Sequence, residues 1–258
     1  MSDARAKPTA AVVVPCLNEE EAILGLVADV QAVAADLALP VKIAAIYVVD
    51  NGSTDATADR AVAAGAIVVS EPRRGYGRAC LSGVLAAGEV DLIVLMDGDR
   101  ADKPDELPLL LAPLLAGEAD LVVGSRRLGS YEKGSLQPQQ IFGNWLAATL
   151  LRLRYGVRVT DIGPFRVIRR ETLLGLGMRE MTYGWSVEMI ARTARQGLTV
   201  REVPVSYRNR AGGVSKVSGN LRASVRAGWR IIGAIWRAGR DGGPLPQDGG
   251  TAASHADL

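Results

Sequence analysis

Histidine is almost absent. The one copy in 258 residues, His255, lies in the polar stretch DGGTAASHADL. This excludes a Ser-His-Asp or Cys-His catalytic group and any histidine-built metal site. Cysteine is nearly as scarce: Cys16 and Cys80 stand far apart with no CxxC pair. A disulfide framework and a zinc site are therefore not expected, and a reducing compartment is. Long apolar runs are missing too, since none reaches the roughly 18 residues of a membrane-crossing helix. The opening MSDARAKPT lacks the apolar core of a signal peptide. Nor is there a charge excess: 30 Lys and Arg against 28 Asp and Glu leave +2, so nothing in the balance points to nucleic acid. The expectation is a cytoplasmic protein, soluble or peripheral on the inner face of the cell membrane. Its chemistry must rest on carboxylates, Arg, Lys and a hard metal ion.

What is present alternates regularly. AAVVVP (10–15) predicts a buried strand and EEEAILGLVADVQAVAADL (19–37) an amphipathic helix. VKIAAIYVVD (41–50) predicts a second strand, followed by a helix with Ser53 as its cap. Strands are expected at 66–70, 91–96 and 120–124, and helices near 77–87 and 105–116. Such alternation predicts an α/β sandwich with a mainly parallel central sheet. The second half is less regular: a long loop SRRLGSYEKGSLQPQQ, a helix near 141–154, the stretch TDIGPFRVIRR, the helical YGWSVEMIARTARQG and a strand TVREVPVSY. One catalytic domain is expected over 1–218, a basic amphipathic helix over 219–240 and a disordered tail over 241–258.

Ligands of such sheets bind at the carboxyl ends of the strands. Three polar clusters fall there: Pro15 to Glu19, Asp50 to Ser53 and Asp97 to Asp99. Helix capping and turn formation alone would account for single members of this set, but not for all three clusters together. In LIVLMDGDR an apolar strand runs directly into two carboxylates. Oxygen ligands of this kind suit Mg²⁺ or Mn²⁺, which commonly bridge substrate phosphates. RRGYGRAC (73–80) lacks the third glycine of a dinucleotide fingerprint and follows the third strand rather than the first. A basic, glycine-flexed loop entering a helix suits phosphates instead.

VVPCLNEEEAI, VVDNGSTDAT, GYGRACLSG, LMDGDR, VVGSRRLG, TDIGPFRVIRR and YRNRAGGVSKVSG occur in one order along residues 10–220. In that order they resemble family 2 glycosyltransferases of the GT-A fold, in particular the dolichyl- or polyprenyl-phosphate sugar synthases. The resemblance implies inverting transfer from a UDP- or GDP-sugar, with Mg²⁺ or Mn²⁺, to a lipid phosphate. It implies that Pro15, Leu17, Asn18, Glu19, Asp50, Asn51, Ser53 and Gly75 form the nucleotide pocket. Asp97, Gly98 and Asp99 then form the DxD-type turn that holds donor diphosphate and metal, with the two Asp as ligands. Asp161 is implied as base or sugar-orienting carboxylate, Glu188 as a second candidate, and Arg126, Arg166, Arg210 and Lys216 as phosphate-handling cations. Asn51 stands where a carboxylate is usual.

Other readings stay open. A soluble hydroxyl acceptor would need Asp161 or Glu188 as base. A nucleotidyltransferase is disfavoured by the acidic PCLNEE where a basic phosphate loop would stand, and a non-enzymatic binding module by the retention of both Asp97 and Asp99. Finally, residues 203–240 hold eight Lys or Arg and no Asp or Glu. GNLRASVRAGWRIIGAIWRAGR places Trp229 and Trp236 on an apolar face beside a stripe of arginines, the composition of an interfacial helix. Attachment to a membrane surface is expected there, or a homodimer contact.

Overall fold

In the computed structural model, which describes residues 6–212 and 232–238, the apolar runs at 9–16 and 92–95 become strands because both of their faces are covered. Along β1 (Thr9–Cys16) successive side chains alternate between two core layers. Val12 and Val14 meet Leu26 and Val30 of α1 (Ile23–Ala34). Ala11 and Val13 face the opposite layer with Ala79 and Val84 of α3 (Tyr76–Ala86). Burial on both sides explains why these strands read as continuous apolar runs rather than as alternating ones.

The remaining elements are β2 (Lys42–Asp50), α2 (Thr57–Ala63), β3 (Ile67–Ser70), β4 (Leu92–Leu95), α4 (Leu107–Leu115), β5 (Leu121–Tyr131) and α5 (Pro138–Tyr155). They are followed by β6 (Arg166–Arg169), α6 (Arg170–Gly175), α7 (Trp185–Arg195) and β7 (Val200–Tyr207). The seven strands form one sheet in the order β3-β2-β1-β4-β6-β5-β7. All neighbours are parallel except β6, which runs antiparallel to both β4 and β5. The predicted α/β sandwich with a mainly parallel sheet is therefore observed.

Two local expectations are corrected and one unexpected strand appears. SRRLGSY is not loop: β5 continues to Tyr131, paired with β7 across an irregularity between Ser125 and Ser130. Gly129 permits it, because a Cβ there would collide with the backbone of Val205. The stretch RVIR forms β6, which no sequence expectation included. Ser53 does not cap α2, whose N-cap is Ala56. Of the expected basic helix at 219–240, only residues 232–238 are described, and these are helical. The tail at 241–258 lies outside the described residues. Among the described residues no helix is long and apolar enough to cross a membrane.

Candidate active site at the carboxyl edge of the sheet

The ends of β1, β2 and β4 open into one cavity of about 380 Å³. Pro15, Leu17, Glu19, Asn51, Gly75, Asp97, Gly98 and Asp99 line it on one side, and Arg126 and Arg210 reach it from the other. Asn18, Asp50 and Ser53 do not line it; they build the turn behind. Asn18, held at φ 51°, donates its N–H to Ser53 Oγ at 2.9 Å and accepts the Thr54 N–H on Oδ1 at 2.8 Å. Asp50 Oδ1 accepts the Ser53 N–H at 2.9 Å. The turn keeps the wall at the end of β1 in place.

Asn51 has a role that a carboxylate could not fill. Its Nδ2 donates to the carbonyls of Glu71 and Arg73 at 2.7 and 2.9 Å, while Oδ1 accepts the Gly75 N–H at 2.8 Å. A side chain that both donates and accepts ties the 71–75 loop to β2. At Gly75, φ is 151° and a Cβ would strike the Met181 carbonyl, so only glycine fits where the loop enters α3.

The DGD turn is held from three directions. Gly98 lies so close to β1 that a Cβ would stand 2.5 Å from Cys16 Sγ. Tyr76 donates its hydroxyl to Asp97 Oδ1 at 3.0 Å. Arg100, at φ 60°, forms a two-pronged pair with Asp29 of α1 at 2.8 and 2.9 Å. The turn is deeply acidic: Asp99 and Asp102 are 2% and 1% exposed. Burial and the neighbouring Asp99 carboxylate push the Asp97 carboxyl up to about 7. Burial, then Asp97 and Asp99, raise Asp102 well above the carboxylate range, and its Oδ1 has no hydrogen-bond partner among the described residues. The turn thus gathers three carboxyl groups, Asp97, Asp99 and Asp102. Its all-oxygen donor set fits a hard divalent ion that takes its other ligands from phosphate and water. Among the described residues no three His, Cys, Asp or Glu side chains are grouped to hold a metal alone.

Two cations face these carboxylates. Arg210, just past β7, stands 3.0 Å from Asp99 Oδ2 and 2.7 Å from Glu19 Oε1. Arg126, on β5, is 7% exposed and lies with its Cζ 4.9 Å over the ring of Tyr207. Asp161 is fully buried and does not line the cavity. Its Oδ2 accepts Arg126 Nε at 2.6 Å and the Arg126 N–H at 3.0 Å. Its Oδ1 accepts Arg126 Nη2 at 2.8 Å and Asn144 Nδ2 at 2.6 Å. Burial opposes ionisation, but these bonds outweigh it and hold the carboxyl below its ordinary value. Asp161 aims Arg126 and has no lone pair left for a substrate proton.

Glu188 is spent in the same way. It pairs with Arg192 at 2.8 Å and accepts the N–H groups of Arg179 and Glu180 at 3.0 and 2.7 Å. Those bonds fix the segment whose Thr182 and Tyr183 line the cavity. Arg166 is buried away from the cavity, donating to the carbonyls of Gly163 and Ser186 at 2.7 and 2.6 Å. Burial pulls its guanidinium down to about 10. Lys216 lies outside the described residues.

Sequence reasoning missed Arg74, Tyr76, Gln140 and Tyr207, all of which line the cavity. Tyr76 and Arg74 sit inside the RRGYGRAC loop already singled out for phosphates. Gln140 carries no local signal, and Tyr207 opens the YRNRAGGVSKVSG motif without marking itself as a wall of the cavity.

Known proteins resemble the chain over most of its length. The profile of "Glycosyl transferase family 2" matches residues 11–176. An uncharacterized glycosyltransferase of Mycobacterium bovis is 42% identical over 86% of this chain and 96% of its own length. The polyprenol monophosphomannose synthase of Mycolicibacterium smegmatis is 31% identical over 88% of this chain and 89% of its own. The crystal structure of glucosyl-3-phosphoglycerate synthase from Mycobacterium tuberculosis, in complex with Mn²⁺, UDP and glucosyl-3-phosphoglycerate, superimposes with a TM-score of 0.70. That pair is 28% identical, covering 90% of this chain and 80% of the other. The chain belongs to glycosyl transferase family 2 and is a glycosyltransferase.

Proposed function

We propose that this glycosyltransferase moves a hexose, with inversion, from a UDP- or GDP-sugar to a polyprenyl phosphate at the membrane surface. Asp97 and Asp99 would hold Mg²⁺ or Mn²⁺ together with the donor diphosphate. The metal would supply charge neutralisation for the departing nucleoside diphosphate. Pro15, Leu17, Glu19, Asn51 and Gly75 would enclose the nucleotide, and Arg126 would receive the acceptor phosphate.

One observation carries the choice of acceptor: both candidate bases, Asp161 and Glu188, are consumed by buried ion pairs. A hydroxyl acceptor needs a base. A phosphate acceptor is already an anion and needs only a positioned cation, which Asp161 makes of Arg126. The likeness to a polyprenol monophosphomannose synthase points the same way. A second reading, a soluble phosphorylated acceptor, is favoured by the likeness to a synthase that acts on phosphoglycerate. Arg126 would position that phosphate, but a hydroxyl would then be the nucleophile and would need a base other than Asp161 or Glu188.

The test pairs a thermal-shift panel of UDP, GDP and their sugar conjugates, with and without Mn²⁺, with a transfer assay from the stabilising donor. Metal-dependent stabilisation by one nucleotide class, lost in Asp99→Ala, is expected. At about 100 times Kd it amounts to roughly 2.7 kcal/mol. Transfer to undecaprenyl phosphate but not to 3-phosphoglycerate supports the lipid acceptor, and the reverse selects the soluble one. No response to any nucleotide by a folded protein would sink the donor assignment.

A further inference from the structure

The solvent side of α5 is apolar where a surface helix should be polar. At about 100° per residue, Phe142, Trp145, Thr149 and Leu153 share one side. Phe142, Trp145 and Leu153 are 61%, 51% and 78% exposed. The opposite side already has its partners: Ala147 and Leu151 are in the core, Asn144 bonds Asp161, and Gln140 lines the cavity. A helix that carries an exposed apolar stripe opposite its core-facing side has a second surface to satisfy. The two exposed rings support each other, with centroids 5.8 Å apart.

The chain around this face is mainly basic. Residues 127–160 carry five Lys or Arg and a single acid, Glu132. Glu132 is already engaged by the backbone and side-chain amides of Asn209 at 2.7 and 3.0 Å. Arg127 and Arg152 flank a second cavity of about 380 Å³ between Leu128, Trp145 and Val159. The face continues into residues 232–238. There the Tyr155 hydroxyl donates to the Ile235 carbonyl, and Arg154 Cζ lies 5.9 Å from the ring of Trp236, itself 54% exposed.

We propose that this face is the surface on which the protein lies against an anionic phospholipid bilayer. Phe142, Trp145 and Leu153 enter the boundary between headgroups and acyl chains, and Arg127, Arg152 and Arg154 meet lipid phosphates. Exposed aromatics rimmed by arginine suit this partner, because arginine stems pack along apolar surface while their heads reach phosphate. The proposal deepens the lipid-acceptor reading and rests on it in one respect, the identity of the acceptor. Since α5 shows Gln140 to the cavity and Trp145 to the outside, the cavity stands about one helix diameter, roughly 10 Å, from the lipid. A phosphate anchored in the bilayer then reaches Arg126 without leaving it.

The test uses the full chain with vesicles of phosphatidylcholine and phosphatidylglycerol, comparing wild type with the Phe142→Ser, Trp145→Ser double variant. Co-sedimentation of the double variant is expected to fall by about tenfold. Lipids brominated near the headgroup should quench tryptophan emission less in Trp145→Phe than in wild type. Both variants should keep the nucleotide-induced thermal shift of the wild type, which separates loss of this face from loss of the fold. Equal vesicle binding by wild type and double variant, or none by wild type, overturns the proposal. So does a wild-type dimer that the double variant converts to monomer, because a second copy then covers the face. Vesicle binding that follows the pattern while no nucleotide binds overturns the donor assignment and leaves this proposal standing.

Discussion

Arg210 pairs with Asp99, Nη1 to Oδ2 at 3.0 Å, and so sets a positive charge against one half of the DGD pair. Its other nitrogen holds Glu19 at 2.7 Å, and the Ala211 N–H bonds the Asp99 carbonyl at 3.2 Å. A divalent ion approaching Asp99 must compete with this guanidinium, whereas a donor diphosphate would give Arg210 a new partner. Arg210→Gln should therefore bind Mn²⁺ alone more tightly and the nucleoside diphosphate more weakly, each by several-fold. Electron paramagnetic titration of Mn²⁺ and calorimetry of UDP and GDP read the two separately. Parallel loss of both would contradict the competition.

Asn51→Asp is a sharp test of the loop wall. The substitution keeps the acceptor for Gly75 but turns two donated bonds into repulsion against the carbonyls of Glu71 and Arg73. At about 1 kcal/mol per lost bond, affinity for the donor nucleotide should fall at least about tenfold. Calorimetry checks this; unchanged affinity would mean that the loop does not shape the pocket.

Asp161→Asn should act on stability before it acts on chemistry. It leaves Arg126 buried with half its partners, a situation that costs about 3–5 kcal/mol for an uncompensated buried ion. Urea unfolding measures the loss. If the variant is as stable as wild type and simply inactive, Asp161 is a reacting group and its positioning role is wrong.

Glu71 predicts an acid-side effect. Its hydrogen bond with Arg73 overcomes burial and lowers its carboxyl from an ordinary 4.5 to about 2. A carboxyl depressed in the folded state adds stability above its unfolded value and loses it as pH falls toward the folded one. Thermal stability should thus decline between pH 4.5 and 2 through this group. The decline should be shallower in Glu71→Gln, as melting curves across that window would show.

The strands and the DGD turn were legible because burial on two faces demands uninterrupted apolar runs, and a turn at a strand end demands Asp and Gly. β6 was not, because RVIR places charged residues at both ends of a four-residue strand whose partners are far away in sequence. Arg166 has the look of a surface cation yet is buried under α7. Asn51 stood out as a departure from a carboxylate, and the structure gives the reason in the two carbonyls it must reach. The roles of Asp161 and Glu188 could not be read from the chain. Their residue types fit a base, and only the geometry shows both carboxylates held in buried ion pairs.

The position of β6 also bears on how the chain is made. β3, β2, β1 and β4 hydrogen-bond only among themselves until β6 arrives, and β5 has no sheet partner before β6 and β7. A ribosome that has released residues up to the end of β4 has delivered a four-stranded parallel half-sheet with the raw edge of Leu92–Leu95 exposed. That edge waits through the synthesis of some seventy further residues before Arg166–Arg169 closes it. An unpaired, wholly apolar strand edge is a template for association with other chains. The interval between β4 and β6 is thus where a nascent copy is most exposed to aggregation, and slowing translation there should lower the soluble yield.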